Sequence, residues 1–153
     1  MTFFLWLSAT LFGAIFRRLY GWRFSNWLMV IIYIITVSGL IIYATNNWYY
    51  IIPVSIVGMG WRFGFKDWSS WFHMSYHYTR FTTLAAAATA LVCQNTLALL
   101  YAPVGLIGLS LPILNRVVPR RNGVPQWDYK AVGEYINGAI ITGELVGIAL
   151  LLS

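Results

Sequence analysis

The stretch Ala131–Leu152, AVGEYINGAIITGELVGIALLL, decides how the rest of the chain is read. At helical rise it covers about 33 Å, enough to cross the hydrocarbon core of a bilayer once. Yet it holds two of the chain's four acidic residues, Glu134 and Glu144. They stand about 15 Å apart along the axis and roughly 80° apart around it, so they share a broad side without lining up. Gly133, Asn137, Ile140, Glu144 and Gly147 recur at alternating spacings of four and three and make one continuous stripe. Gly138, Thr142 and Gly143 are off that stripe. A carboxylate facing lipid is costly, and acids inside membranes face a bundle interior, a partner or a wet cavity.

Composition extends this reading to the whole chain. The protein is 59% hydrophobic and only 9% charged, against about 25% charged residues in a soluble domain. Eight Trp and ten Tyr, many beside the ends of apolar runs, fit anchoring at a membrane interface. The net charge of +6 comes from cations in short connections between apolar runs, so topology explains it and no nucleic-acid-binding element is expected. The one cysteine, Cys93, rules out an intrachain disulfide. The opening run, MTFFLWLSATLFGAIF, has no preceding basic residue and reads as a retained span rather than a cleaved signal.

Working outward from Ala131, the sequence predicts an all-α, polytopic integral membrane protein with six short transmembrane helices. The runs are Met1–Phe16, Ser25–Thr45, Trp48–Trp61, Phe81–Tyr101, Pro103–Leu114 and Ala131–Leu152, and together they form a single membrane domain over 1–153. Trp48–Trp61 contains Pro53, Gly58 and Gly60, and Pro103–Leu114 contains Pro112, so both are marginal. Charge supports six. Arg17, Arg18 and Arg23 fall in the first connection, Arg62, Lys66 and Arg80 in the third, and Arg116, Arg120, Arg121 and Lys130 in the fifth. The connections around Asn46-Asn47 and Ala102-Pro103 carry none. The positive-inside bias then puts the three basic loops in the cytoplasm and both termini outside, with a bacterial inner membrane as the expected location. Gly21-Trp22-Arg23-Phe24 is echoed by Gly60-Trp61-Arg62-Phe63, which reads as an interfacial anchor used twice.

Residues 62–80 form a cytoplasmic interfacial segment in this reading. Lys66, Ser70, His73, His77 and Arg80 share one helical face, opposite Trp68, Trp71 and Phe72, as in an amphipathic helix lying on a membrane. Lys66, His73, His77 and Arg80 are candidates for contact with headgroups or anionic ligands. His73 and His77, four apart, are also a candidate metal pair. They lack the glutamate of a zincin motif and need a third ligand, so no metal or other cofactor is expected.

The remaining candidates form a polar set at membrane depth. Gln94 and Asn95 sit near the middle of the Phe81–Tyr101 run and join Glu134, Asn137, Thr142 and Glu144 as a possible transport path or polar core. The plainer reading is hydrogen bonding between helices. Thr142 is the weaker member, because its hydroxyl can bond its own helix. For Glu134 the plainer reading is a salt bridge to Arg116, Arg120 or Lys130, whereas no basic residue is expected at the depth of Glu144.

Three functions compete for these residues. The first is a transport, channel or membrane-complex component built around Glu144, with membrane lipids, further copies or a larger assembly as partners. The second is a membrane-remodelling or lysis protein. The third is a membrane enzyme acting on lipid-linked or phosphorylated substrates through His73 and His77.

Overall fold

The structure, a computed structural model, describes residues 1–22, 26–64, 83–100 and 110–153. Helix α1 (Thr2–Trp22) is uninterrupted by proline and carries two inward rows. Phe12, Phe16 and Tyr20, spaced by four, stack in series at centroid distances of 6.1 and 5.6 Å. Trp6, Thr10, Gly13 and Arg17, spaced four, three and four, make the second row. Helix α2 (Trp27–Thr45) begins at Asn26, whose side chain accepts from the Met29 amide, and ends at Asn46 in the left-handed region. It buries Val30, Tyr33, Val37, Ser38 and Ile41. The Tyr33 ring lies 4.7 Å from that of Phe16, which ties α2 to the aromatic row of α1.

A one-turn 3-10 segment, Trp48–Tyr50, reverses the chain, and α3 (Ile51–Gly64) runs back along α2. Gly58 receives the Ile34 side chain, and the Arg62 guanidinium lies 5.6 Å from the centre of the Trp27 ring. Helix α4 (Thr83–Cys93) ends beside that reversal. Burial pushes the Tyr50 phenol up to about 12, and the adjoining Cys93 adds to the rise. Helix α5 (Ser110–Val117) is followed by a two-stranded hairpin, β1 (Arg120–Arg121) with β2 (Val124–Pro125). Its turn residues Asn122 and Gly123 have φ of 52° and 77°, the geometry that a two-residue type I′ turn demands of an Asn-Gly pair.

Helix α6 (Tyr129–Leu152) starts at Asp128, whose carboxylate accepts from the Ala131 amide. It runs antiparallel to α1 along nearly its whole length, from Glu134 beside Arg18 to Gly147 beside Trp6. Among the described elements this seam is the most extensive contact. Met1, Thr2, Tyr43, Leu150 and Ser153 line one recess, so both termini and the end of α2 share one end of the molecule.

Among the described residues three helices are long and apolar enough to cross a membrane: Thr2–Tyr20, Trp27–Thr45 and Tyr129–Leu152. Their outer faces leave Phe3, Phe4, Leu11, Ile31, Ile35 and Leu151 exposed, as contact with membrane lipid requires. The expectation of six spanning helices is therefore corrected: among the described residues only three are long enough, and α3 returns along α2 as a shorter helix. The apolar stretch Trp48–Met59, the reversal and most of α3, covers about 18 Å, well short of a hydrocarbon core of about 30 Å. The run Phe81–Tyr101 does not form one helix, because the chain leaves α4 after Cys93 and turns left-handed at Gln94, with φ of 49°. In the run Pro103–Leu114, residues 103–109 fall outside the described residues. The rest of that run belongs to the eight-residue α5, which continues to Val117.

Two further expectations change. Arg17 and Arg18 are not loop residues: α1 carries them inside its helical span, and Arg17 is fully buried. Within the expected interfacial segment 62–80, Arg62–Gly64 belong to α3, and Lys66, His73, His77 and Arg80 lie outside the described residues.

Candidate functional site

The seam between α1 and α6 is built by missing side chains. A Cβ at Gly13 would overlap the Thr142 hydroxyl and stand 2.5 Å from the Gly138 carbonyl oxygen. One at Gly138 would overlap the Gly13 carbonyl and come within 2.5 Å of the Arg17 Cβ. Gly143 faces Thr10, where a Cβ would stand 2.9 Å from the hydroxyl, and Gly147 faces the Trp6 indole. Small residues let the two backbones approach closely, which is how helices gain packing energy in lipid. The Trp6 indole N–H uses that proximity to donate to the Gly143 carbonyl at 2.8 Å.

Polar groups inside the seam find one another. The hydroxyls of Tyr33 and Thr142 are 2.9 Å apart and buried, joining α2 to α6. The Arg18 guanidinium donates to the Glu134 carboxylate at 3.1 Å, with the carboxylate nearly buried. Arg18 takes the part that the sequence offered to Arg116, Arg120 or Lys130. Opposite charges at hydrogen-bonding distance on facing helices fix the register of the pair.

Glu144 stands apart from this. It opens onto a groove of about 630 Å³ between the outer edges of α1 and α6, lined by Trp6, Thr10, Leu100, Ala139, Ile140, Gly143, Gly147, Ile148 and Leu151. Apart from Thr10 and Glu144 itself, these side chains are apolar or, at Trp6, already committed to Gly143. Among the described residues no side chain pairs with the Glu144 carboxylate. The residue sits about 12 Å from the C-terminal end of α6, well inside a spanning helix.

The predicted polar set is thus divided. Glu134, Asn137 and Thr142 are buried on the inner side of α6, while Glu144 is half-buried at its edge and Ile140 faces outward. The stripe proposed from spacing is split, and the buried face runs instead through Glu134, Gly138, Ile141, Thr142, Leu145 and Ala149. Gln94 is exposed in its turn, and Asn95 accepts from the Leu97 amide at 3.0 Å, so its side chain caps a short 3-10 segment. Neither is placed beside Glu144. Thr142, the weaker candidate by sequence, is fully buried at the closest approach of α1 and α6.

Residues that the sequence reading did not assign to the site carry much of it. Trp6, Thr10, Gly13 and Arg17 form the α1 side of the seam, and their spacing of four, three and four was the available signal. Among the described residues no three metal-ligating side chains come together. No family model, curated protein or solved structure matches the chain.

Proposed function

We propose that this protein is a membrane-embedded subunit of a larger assembly, and that the Glu144 groove receives a transmembrane helix of a neighbouring subunit. The observation that carries this reading is the division of the acids on α6. Glu134 has its cation within the chain, whereas Glu144 is offered outward in an apolar groove at membrane depth with no described partner. A carboxyl group in that setting is stabilised by a donor or cation brought from outside. Ala139, Gly143 and Gly147 leave room for a close helix approach beside it. The described cations Arg17, Arg18, Arg62, Arg116, Arg120, Arg121 and Lys130 all belong to the end opposite the termini, which supports a cytoplasmic location for that end and outside termini.

A photo-crosslinking residue at Ile140, on the exposed wall of the groove, tests the proposal in native membranes. The expected product joins Ile140 to an apolar segment of another polypeptide, identical or different, that bears a polar or basic residue at matching depth. Glu144→Leu is expected to abolish that product while the α1–α6 seam stays folded. Adducts to lipid alone would sink the reading. A transport reading of Glu144 makes a different demand: ion or proton flux in proteoliposomes of the isolated chain, lost in Glu144→Gln.

A further inference from the structure

The segment that joins α5 to α6 is a second unassigned surface, separate from the groove. Its hairpin is locally determined: Asn122 and Gly123 supply the two positive φ angles, and the Gln126 amide closes on the Pro119 carbonyl at 2.8 Å. Arg120 is committed within the fold. Its guanidinium bonds both the backbone carbonyl and the side-chain oxygen of Asn115, which ties the hairpin to the end of α5. Arg116, Arg121 and Lys130 are exposed, and none has an ion-pair partner among the described residues.

These cations are interleaved with exposed apolar side chains. Ile113 and Val117, one turn apart on α5, are 59% and 63% exposed, and Val124 on β2 is 64% exposed. Strand register sets Val124 directly opposite Arg121, so the two share a face of the hairpin. The position of the unit along the membrane normal is set by α6. That helix is about 36 Å long against a hydrocarbon core of about 30 Å, so its first turn, with Tyr129 and Lys130, reaches the headgroup layer. Helix α5 packs on α6, and the hairpin leads straight into the first turn of α6, so Arg121, Val124 and Lys130 lie close to that end in sequence.

We propose that α5 and the following hairpin form a docking surface for anionic phospholipid, with Arg116, Arg121 and Lys130 on the headgroup phosphates and Ile113, Val117 and Val124 at the acyl boundary. A soluble polyanion such as nucleic acid would answer the charges but leave the apolar side chains in water. A lipid surface satisfies both.

The test uses the full-length protein with Cys93→Ser, carrying an environment-sensitive fluorophore at Gln126→Cys, in nanodiscs of phosphatidylcholine with increasing phosphatidylglycerol. Quenching by headgroup-spin-labelled lipid is read out. Quenching is expected to rise with the anionic fraction. The fraction needed for half-maximal effect is expected to increase roughly fivefold for each cation removed in Arg116→Gln and Arg121→Gln. Both sites are solvent-exposed, so the fold is retained, and Arg116→Lys with Arg121→Lys is expected to restore the response. Equal quenching in zwitterionic and anionic discs overturns the proposal, as does an unchanged response in the glutamine variants. Displacement of the lipid by inorganic phosphate or by RNA would assign the surface to a soluble anion instead and overturns it equally.

Discussion

At the scale of single residues, the α1–α6 seam depends on what glycine omits. Gly138 and Gly39 are both glycines inside spanning helices, and their surroundings are opposite. A Cβ at Gly138 would run into the Gly13 carbonyl and the Arg17 stem, whereas at Gly39 nothing lies within 4 Å. Gly138→Ala is therefore expected to destabilise the fold by about 1–3 kcal/mol through forced separation of the helices. Gly39→Ala is expected to be neutral or to stabilise by up to about 1 kcal/mol, since alanine is the better helix former. Unfolding titrations of both variants in mixed micelles check the contrast, and equal effects would refute the close-approach account. Spacing alone could not tell these glycines apart, because it gives the angle of a residue on its helix and not what stands opposite. For the same reason Thr142 looked marginal in sequence and is central in the fold.

Elements make a different point. Ser25–Thr45 and Ala131–Leu152 were legible as helices to within two residues at their starts, because each is a long, largely apolar run without proline; the structure adds the caps Asn26 and Asp128 that set where they begin. Phe81–Tyr101 was equally apolar yet does not persist as a helix, since its central Gln94-Asn95 pair adopts turn and cap geometry. Hydropathy measures the solvent a segment tolerates; helix continuity also needs backbone hydrogen bonds that amide side chains compete for. Helix α1 errs the other way, running past the expected boundary at Phe16 because Arg18 meets Glu134 across the seam. That pair is expected to carry a measurable coupling. Glu134→Gln should cost about 1–3 kcal/mol, and adding Arg18→Gln should cost markedly less than the sum of the two single changes. Strict additivity in the double-mutant cycle would show that the ion pair contributes nothing to α1–α6 association.

For the whole molecule, the decisive geometry is that α1 and α6 are antiparallel and that Met1 and Ser153 share one end. In sealed vesicles of a Cys93→Ser background, a membrane-impermeant maleimide is expected to label Thr2→Cys and Ser153→Cys from the same side and Gln126→Cys from the opposite one. Labelling of the two termini from opposite sides would contradict the arrangement. The described cations stay at one end although only three described helices are long enough to span, because the shorter α3 also returns along α2 and brings Arg62 back to the level of Trp27. That fourth traverse lets both termini share a side.

By itself the sequence determined that the chain is helical, rich in apolar surface suited to lipid, and strongly biased in where its cations fall. Those properties are sums over local composition and period, and they need no knowledge of neighbours. Only the tertiary structure decided which apolar runs are long helices, that Arg18 rather than a later cation meets Glu134, and that Thr142 is sealed in while Glu144 is turned out. The reason is geometric. Rotating α6 by about 100°, the angle between successive residues, would turn each buried residue out and bring its neighbour in, and that rotation is fixed by Gly13 and Gly138 on facing helices, more than a hundred residues apart in sequence.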